Sequence, residues 1–194
     1  MRIIQQYEKN IVTACAALAL GWVVLPAGVA SAATDVIKQD PALDKSVMAT
    51  LEQCQQVSSS CRAQSKAAVG ILIFPSVVKA DLLVGGSGGK GALIENGQVT
   101  GYYSIGSGSV GLQAGIENSS QVYVFHTPEA LSKLKSSPDW KAGASAGVTV
   151  VAADANAESV TGDVLAYVFD SKGLNAGVSL DVFDVWKTGK VRPS

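Results

Sequence analysis

Histidine occurs once in the 194 residues, cysteine three times, and aromatic side chains make up 6% of the chain. A metal centre built on clustered His and Cys therefore has little to draw on. Charge is scarce too, at 16% of residues, and nearly balanced in sign, with 15 Lys and Arg against 16 Asp and Glu. No strong basic field for nucleic acid can arise from that balance. Coiled-coil, collagen-like and charge-rich disordered classes are excluded by the same composition. What the chain does hold is 47% hydrophobic residues and 20 glycines. Its length suits one globular domain on the usual prior of roughly 100 to 200 residues, with no room for a second large catalytic domain.

The first apolar stretch reads as a targeting segment. Residues Ile11 to Ala30 carry no charge, follow Arg2 and Lys9, and lead into Ala30-Ser31-Ala32, the small-x-small form of a signal-peptidase site. We expect a signal peptide over residues 1–32, cleaved after Ala32, and a single domain over 33–194 in the periplasm. An uncleaved inner-membrane anchor is the alternative, since an uncharged run of that length is just long enough to span a bilayer. Pro26 and Gly28 break the run where a cleavage region should begin. Cys15 as a lipid-carrying residue would need a longer apolar stretch before it than Ile11 to Ala14.

Without the leader two cysteines remain, Cys54 and Cys61, an even number in an exported chain. A disulfide is the expectation, a local clip around Gln55 to Ser60 at the end of a helix. Free thiols and a metal held by two thiols are the alternatives, and the latter has no nearby His.

Asp40-Pro41 supplies an N-cap and a proline suited to the first helical position, and Leu43, Val47, Leu51 and Cys54 follow at helical spacing. This predicts an amphipathic helix of about four turns. From Gly70 the pattern changes to short apolar or alternating runs separated by Gly, Asn and Ser, the mark of an antiparallel sheet. The runs are 70–74, 80–84, 91–95, 98–104, 109–115, 121–125, 141–151, 164–169 and 174–181. Asn96-Gly97 is the sequence of a two-residue hairpin turn, and Lys172-Gly173 is read in the same way. Thr127-Pro128-Glu129 starts one inserted helix that ends before Pro138, with Leu131 and Leu134 on its inner side.

Apart from two in the leader, all glycines fall between Gly70 and Gly189, many of them inside predicted strands. In-strand glycine costs conformational entropy and adds no buried surface, so a close approach of walls must offset it. In Gly143-Ala144-Ser145-Ala146-Gly147 neither face of a strand carries bulk. The fold class predicted is α+β: a strongly curved, barrel-like antiparallel β-sheet with an N-terminal amphipathic helix and one inserted short helix.

Constellations that could carry chemistry are few. Gly86-Ser87-Gly88-Gly89-Lys90-Gly91 matches Gly-x-Gly-x-x-Gly, but a dinucleotide site needs a helix to start there, and Ala92 to Gly97 continues as strand and hairpin turn. Lys90 lacks the spacing and the following Ser or Thr of a P-loop. His126, between a strand and a helix start, has Thr127 and Glu129 beside it, both better explained as capping groups, so a hydrolase built on it is a minor reading. Asp181 and Asp184 are too isolated to assign as an acid/base pair. No catalytic residue, cofactor, metal, nucleotide or nucleic acid is expected. Arg62, Lys66 and Lys79 flank the first strand and, if they converge on one edge, could hold a phosphate.

Residues Lys66 to Ala80, with the glycine-rich loop Gly85 to Gly91 after them, resemble the SYLF domain family. Gly111-Leu112-Gln113-Ala114-Gly115-Ile116-Glu117 is similar to that family's Gly-x-Gln-x-Gly-x-Glu segment. Ser171 to Leu180 is similar to its Ser-Lys-Gly-Leu-x-Ala-Gly-Val-Ser-Leu ending. The resemblance runs from about Val47 to Asp184. It implies a non-enzymatic, phospholipid- or membrane-binding domain, here an exported bacterial member in the cell envelope. Lys66 and Lys79 match basic positions of the family pattern, and Arg62 is added by position as a lipid-binding candidate. Tyr102-Tyr103-Ser104-Ile105 stands where eukaryotic members carry Trp-Ser-x-Pro, so phosphoinositide and actin binding are not carried over. An alternative role is a periplasmic protein-interaction module that docks on an envelope partner through strand edges or the first helix.

Overall fold

The computed structural model describes residues 39–81, 85–109, 115–143, 147–151, 160–170, 173–174 and 183–188. The segment 1–32 expected to be a signal peptide, most of the Gly111 and Ser171 motifs, Asp181 and residues 144–146 lie outside them. All described residues belong to one compact unit, Val36–Ser194.

Helix α1 spans Pro41–Val57, and it begins as the sequence predicts: the Asp40 carboxylate accepts the Leu43 N–H at 3.2 Å with Pro41 in the first turn. Val47, Thr50 and Cys54 are its buried stripe. Ser58, in extended conformation, ends α1 and starts a second helix. Its N–H donates to Cys54 O, and its hydroxyl accepts the Cys61 N–H at 3.1 Å, opening α2 over Ser59–Lys66. The sequence does not announce α2, because one residue serves as both caps and only Ser60 and Cys61 of the helix are buried. Cys54 and Cys61 form the expected disulfide across this corner and are fully buried.

The sheet comprises β1 Gly70–Asp81, β2 Gly85–Glu95, β3 Gln98–Ser109, β4 Gly115–Phe125, β5 Trp140–Ala142, β6 Val148–Val150, β7 Val164–Asp170, β8 Gly173–Leu174 and β9 Phe183–Lys187. Among the described residues its order is β5-β9-β3-β2-β1-β4-β7-β6, with β8 also on β7. Every pairing is antiparallel except that of β6 with β7. The run predicted as one strand over 141–151 is two short strands on opposite flanks, joined across residues 143–147, with Val148 N–H donating to Gly143 O. The stretch 173–187 likewise pairs with β7 at its start and β3 at its end. The sheet thus curls into a nearly closed barrel.

The chain alternates across this wall. Leu72, Phe74, Leu93, Tyr103, Ile105, Tyr123, Phe125, Trp140, Phe183 and Val185 share the inner cluster. Ile71, Ile73, Ala92, Ile94, Val122, Val124, Leu165 and Tyr167 face outward under α1 and α2. The barrel interior is filled by rings in edge contact: Phe74 with Tyr123 at 6.2 Å and Tyr123 with Trp140 at 5.9 Å between centroids. Helix α3, Pro128–Ser136, is capped by Thr127 and buries Leu131 and Leu134 against the inner cluster, as predicted. The Asn96-Gly97 turn has φ of 52° and 75°, the positive values its hairpin type requires.

Two expectations need correction. The run 70–74 and the first two residues of the run 80–84 form one strand, because β1 continues through Pro75 by a register shift between Ile73 and Ser76; residues 82–84 lie outside the described set. The glycine-rich segment from Gly85 to Gly91 is not a loop but the first half of β2. It packs on that irregularity so closely that a Cβ at Gly91 would lie 2.1 Å from Ile73 O, and one at Gly89 2.4 Å from Ser76 O. The Gly-x-Gly-x-x-Gly spacing is therefore met by a bent strand with no helix start to receive a pyrophosphate.

Candidate functional site

Arg62 and Lys66 sit four residues apart on α2, both exposed, and so share one face of the helix. Arg62 Nε donates to Gln55 O at 2.9 Å, which pins its guanidinium to the end of α1. Lys79 is half-buried on β1, nine residues beyond Gly70. At about 3.3 Å per residue, that places it nearly 30 Å along the strand from the end where α2 delivers the chain. The structure brings Arg62 and Lys66 together and sets Lys79 apart at the opposite end of the barrel.

Lys79 has company of its own that the sequence reading missed. Two residues before it Val77 is buried in the inner cluster, so Lys79 continues the inner face. The register sets Lys79 opposite Ser87 of β2, and Ser87 opposite Ser107 of β3. The two serine hydroxyls are 2.7 Å apart and partly buried. On the other side of β1 the register partner is Glu117 of β4. The signal in the sequence is Ser107, two residues after the inward Ile105, and Ser87, two before the inward Gly89. It becomes readable only once Gly85 to Gly91 is recognised as strand.

A cleft of about 340 Å³ opens between α1 and the β4–β7 edge, lined by Gln53, Asn118, Ser119, Ser120 and Asp170. Its polar groups are largely committed to the wall. Ser76 Oγ donates to Asn118 Oδ1 at 2.9 Å and Ser120 Oγ to Pro75 O at 2.8 Å.

Tyr102 of β3 fixes the start of α1. Its hydroxyl donates to Asp44 Oδ1 and accepts the Asp40 N–H, both at 2.8 Å. Burial and the nearby carboxylates raise its pKa. Tyr103 on the inner face is pushed up to about 12 by burial and by the charge of Glu95. His126 Nε2 is buried with no hydrogen-bond partner, and burial lowers its pKa. Thr127 Oγ1 accepts the Ala130 N–H and Glu129 lies in the first turn of α3, the capping roles expected of them. Asp184 is held by Lys141, which also binds Asp139 at 3.0 Å, a clamp between β5 and β9. Among the described residues there is no group of three or more His, Cys, Asp or Glu placed to hold a metal ion, and no helix long and apolar enough to cross a membrane.

Residues 106–189, a little under half of the chain, match the protein-family model Ysc84, described as Las17-binding protein actin regulator. No curated protein matches the chain. The matched stretch contains both the Gly111 and the Ser171 motifs.

Proposed function

We propose, for a chain that carries a SYLF-family segment over residues 106–189, a non-enzymatic role in binding phospholipid in the cell envelope. The observation that carries this reading is the ordered set of SYLF-like motifs, two of which fall inside the family match. The architecture supports it in one respect. Rings in contact fill the barrel interior, so lipid is met at the rim or on the outer surface, with the basic residues Arg62, Lys66 and Lys79 as its candidate contacts. The proposal requires no cofactor or nucleotide. It includes export, with cleavage after Ala32.

The test is flotation of the cleaved, oxidised protein with vesicles of phosphatidylglycerol and of phosphatidylcholine. Association with the anionic vesicles that weakens as salt rises is the expected result; no association with either composition rejects the proposal. Intact mass of the exported chain checks the leader, since the expected product begins at Ala33. The family description names a protein as ligand, which favours a second reading, docking on an envelope protein. Cross-linking in cells that recovers one stoichiometric protein and no lipid would select it.

A further inference from the structure

We propose that the cleft between α1 and the β4–β7 edge receives a small hydroxyl-bearing group, the glycerol of a phospholipid head group being the simplest, a refinement that rests on the lipid-binding reading above. The cleft measures about 340 Å³ and is lined by Gln53 of α1, Asn118, Ser119 and Ser120 of β4, and Asp170 of β7. All of these side chains are polar, and none is Lys or Arg. The rim beside them is apolar. Val57 lies one turn beyond Gln53 on α1, and so on the same flank, and Val78 is the register partner of Asn118. They are 44% and 42% exposed, two of the three large apolar side chains that stand exposed among the described residues. A polar recess with an apolar margin matches a ligand that has a polar head and an apolar body.

The bonds that tie the cleft to the wall use only part of each group. Asn118 accepts the Ser76 hydroxyl through Oδ1, and Ser120 gives its proton to Pro75 O. Left over are the two N–H donors of the Asn118 amide and the Ser120 oxygen as an acceptor. The side chains of Gln53 and Ser119 make no hydrogen bond to another described residue. Asp170 already holds an interaction of its own, so a ligand is left to the amides and hydroxyls. These offer donors and acceptors side by side. A hydroxyl is both at once, so a diol satisfies the pair, whereas a phosphate oxygen only accepts and has no cation to meet in this lining. The glycerol of a lipid head group and a free polyol share this chemistry.

The experiment uses the same cleaved, oxidised protein. Flotation compares phosphatidylglycerol with phosphatidic acid vesicles, both anionic, of which only the first carries a free diol. An NMR titration with glycerophosphoglycerol, the head group without its chains, is run beside it. The wild type should prefer phosphatidylglycerol by about fivefold, and Gln53→Ala and Asn118→Ala should each reduce that preference by about threefold. Gln56→Ala removes an exposed amide that bonds Glu52 on the solvent side of α1 and should leave the preference unchanged. Circular dichroism verifies that each variant is folded. Gln53→Ala puts the best helix former at an exposed helix position, and it decides the matter alone if Asn118→Ala does not fold. Equal flotation on the two anionic vesicles, or a preference untouched in folded Gln53→Ala, overturns the polyol site while leaving the lipid-binding reading standing. If the wild type floats with neither these vesicles nor phosphatidylcholine, the reading fails. In that case, shifts of the Gln53 and Asn118 side-chain amides on addition of glycerophosphoglycerol retain the cleft as a site for a free polyol, and flat shifts at both overturn it.

Discussion

Ser60 Oγ and Tyr167 OH lie 2.9 Å apart between α2 and β7, with both residues fully buried. Burial raises the phenol's pKa and the serine bond acts against that rise, so the pair satisfies two polar groups where water does not reach. It also gives α2, which has little apolar surface, a fixed place on the sheet. Tyr167→Phe strands the Ser60 hydroxyl and should cost about 1 to 2 kcal/mol. Urea denaturation of Tyr167→Phe, Ser60→Ala and the double variant measures this. The double variant should lose less than the sum of the two single losses.

Glycine is required at some positions of β2 and incidental at others. A Cβ at Gly91 would meet Ile73 O at 2.1 Å, whereas one at Gly88 would have its nearest neighbour, Ile105 O, at 3.7 Å. Gly91→Ala should therefore destabilise the protein by about 3 kcal/mol or prevent folding. Gly88→Ala should change stability by less than about 1 kcal/mol. Thermal melting of the two variants separates these outcomes, and equal melting temperatures would contradict the strand contact.

The disulfide joins α1 to α2 across a separation of seven residues. On the chain-entropy account a loop this short stabilises by about 2.5 kcal/mol. Replacing both Cys54 and Cys61 with Ala should lower the melting temperature by about 5 to 10 °C, with the sheet's circular dichroism retained. Because both sulfurs are buried, reductant should act on the native protein no faster than the corner opens, which timed alkylation and mass spectrometry can follow.

Acid should weaken the fold in two steps. His126 is held neutral by burial, so its pKa lies below the ordinary 6.5. The stability this confers is present above pH 6.5 and is lost as pH falls through the folded-state value, where the unfolded chain binds the extra proton first. Glu95 follows lower. Burial opposes its charged form, but hydrogen bonds from Thr100 and Lys135 outweigh that and bring its pKa below 4.5, so its contribution is lost under pH 4.5. Urea midpoints measured from about pH 8 to about pH 2 should fall across both windows, and His126→Gln should flatten only the upper one.

The local features of this fold are readable from short stretches of sequence. Asp40-Pro41 and Thr127-Pro128 announce their helices because capping is a matter of three or four adjacent residues, and Asn96-Gly97 announces its turn for the same reason. Cys54 and Cys61 are near enough in the chain for pairing to be the natural reading. What escapes is whatever depends on a distant strand. Gly85 to Gly91 looks like a loop because glycine has weak strand preference, and only the carbonyls of Ile73 and Ser76 make glycine necessary there. The single run predicted over 141–151 hides two strands on opposite flanks, since its alternation carries no information about partners. The candidate site divides in the same way. Lys66 and Lys79 are visible as basic residues beside strands, but their separation along β1, and the alignment of Lys79 with Ser87 and Ser107, exist only in the register.

The placement of β5 and β6 bears on how the molecule is made. Each is three residues long, they follow one another in the chain, and yet they dock on opposite sides of the assembled strands. β5 adds only to β9 and β6 only to β7, and their two flanks come together only when the strands between them are in position, so closing the seam is a late, long-range event. A newly made molecule would until then present two bare strand margins to its neighbours. Refolding of this chain at high concentration should accordingly favour misassembled dimers joined along those margins, at the one stage when the barrel has walls but no seam.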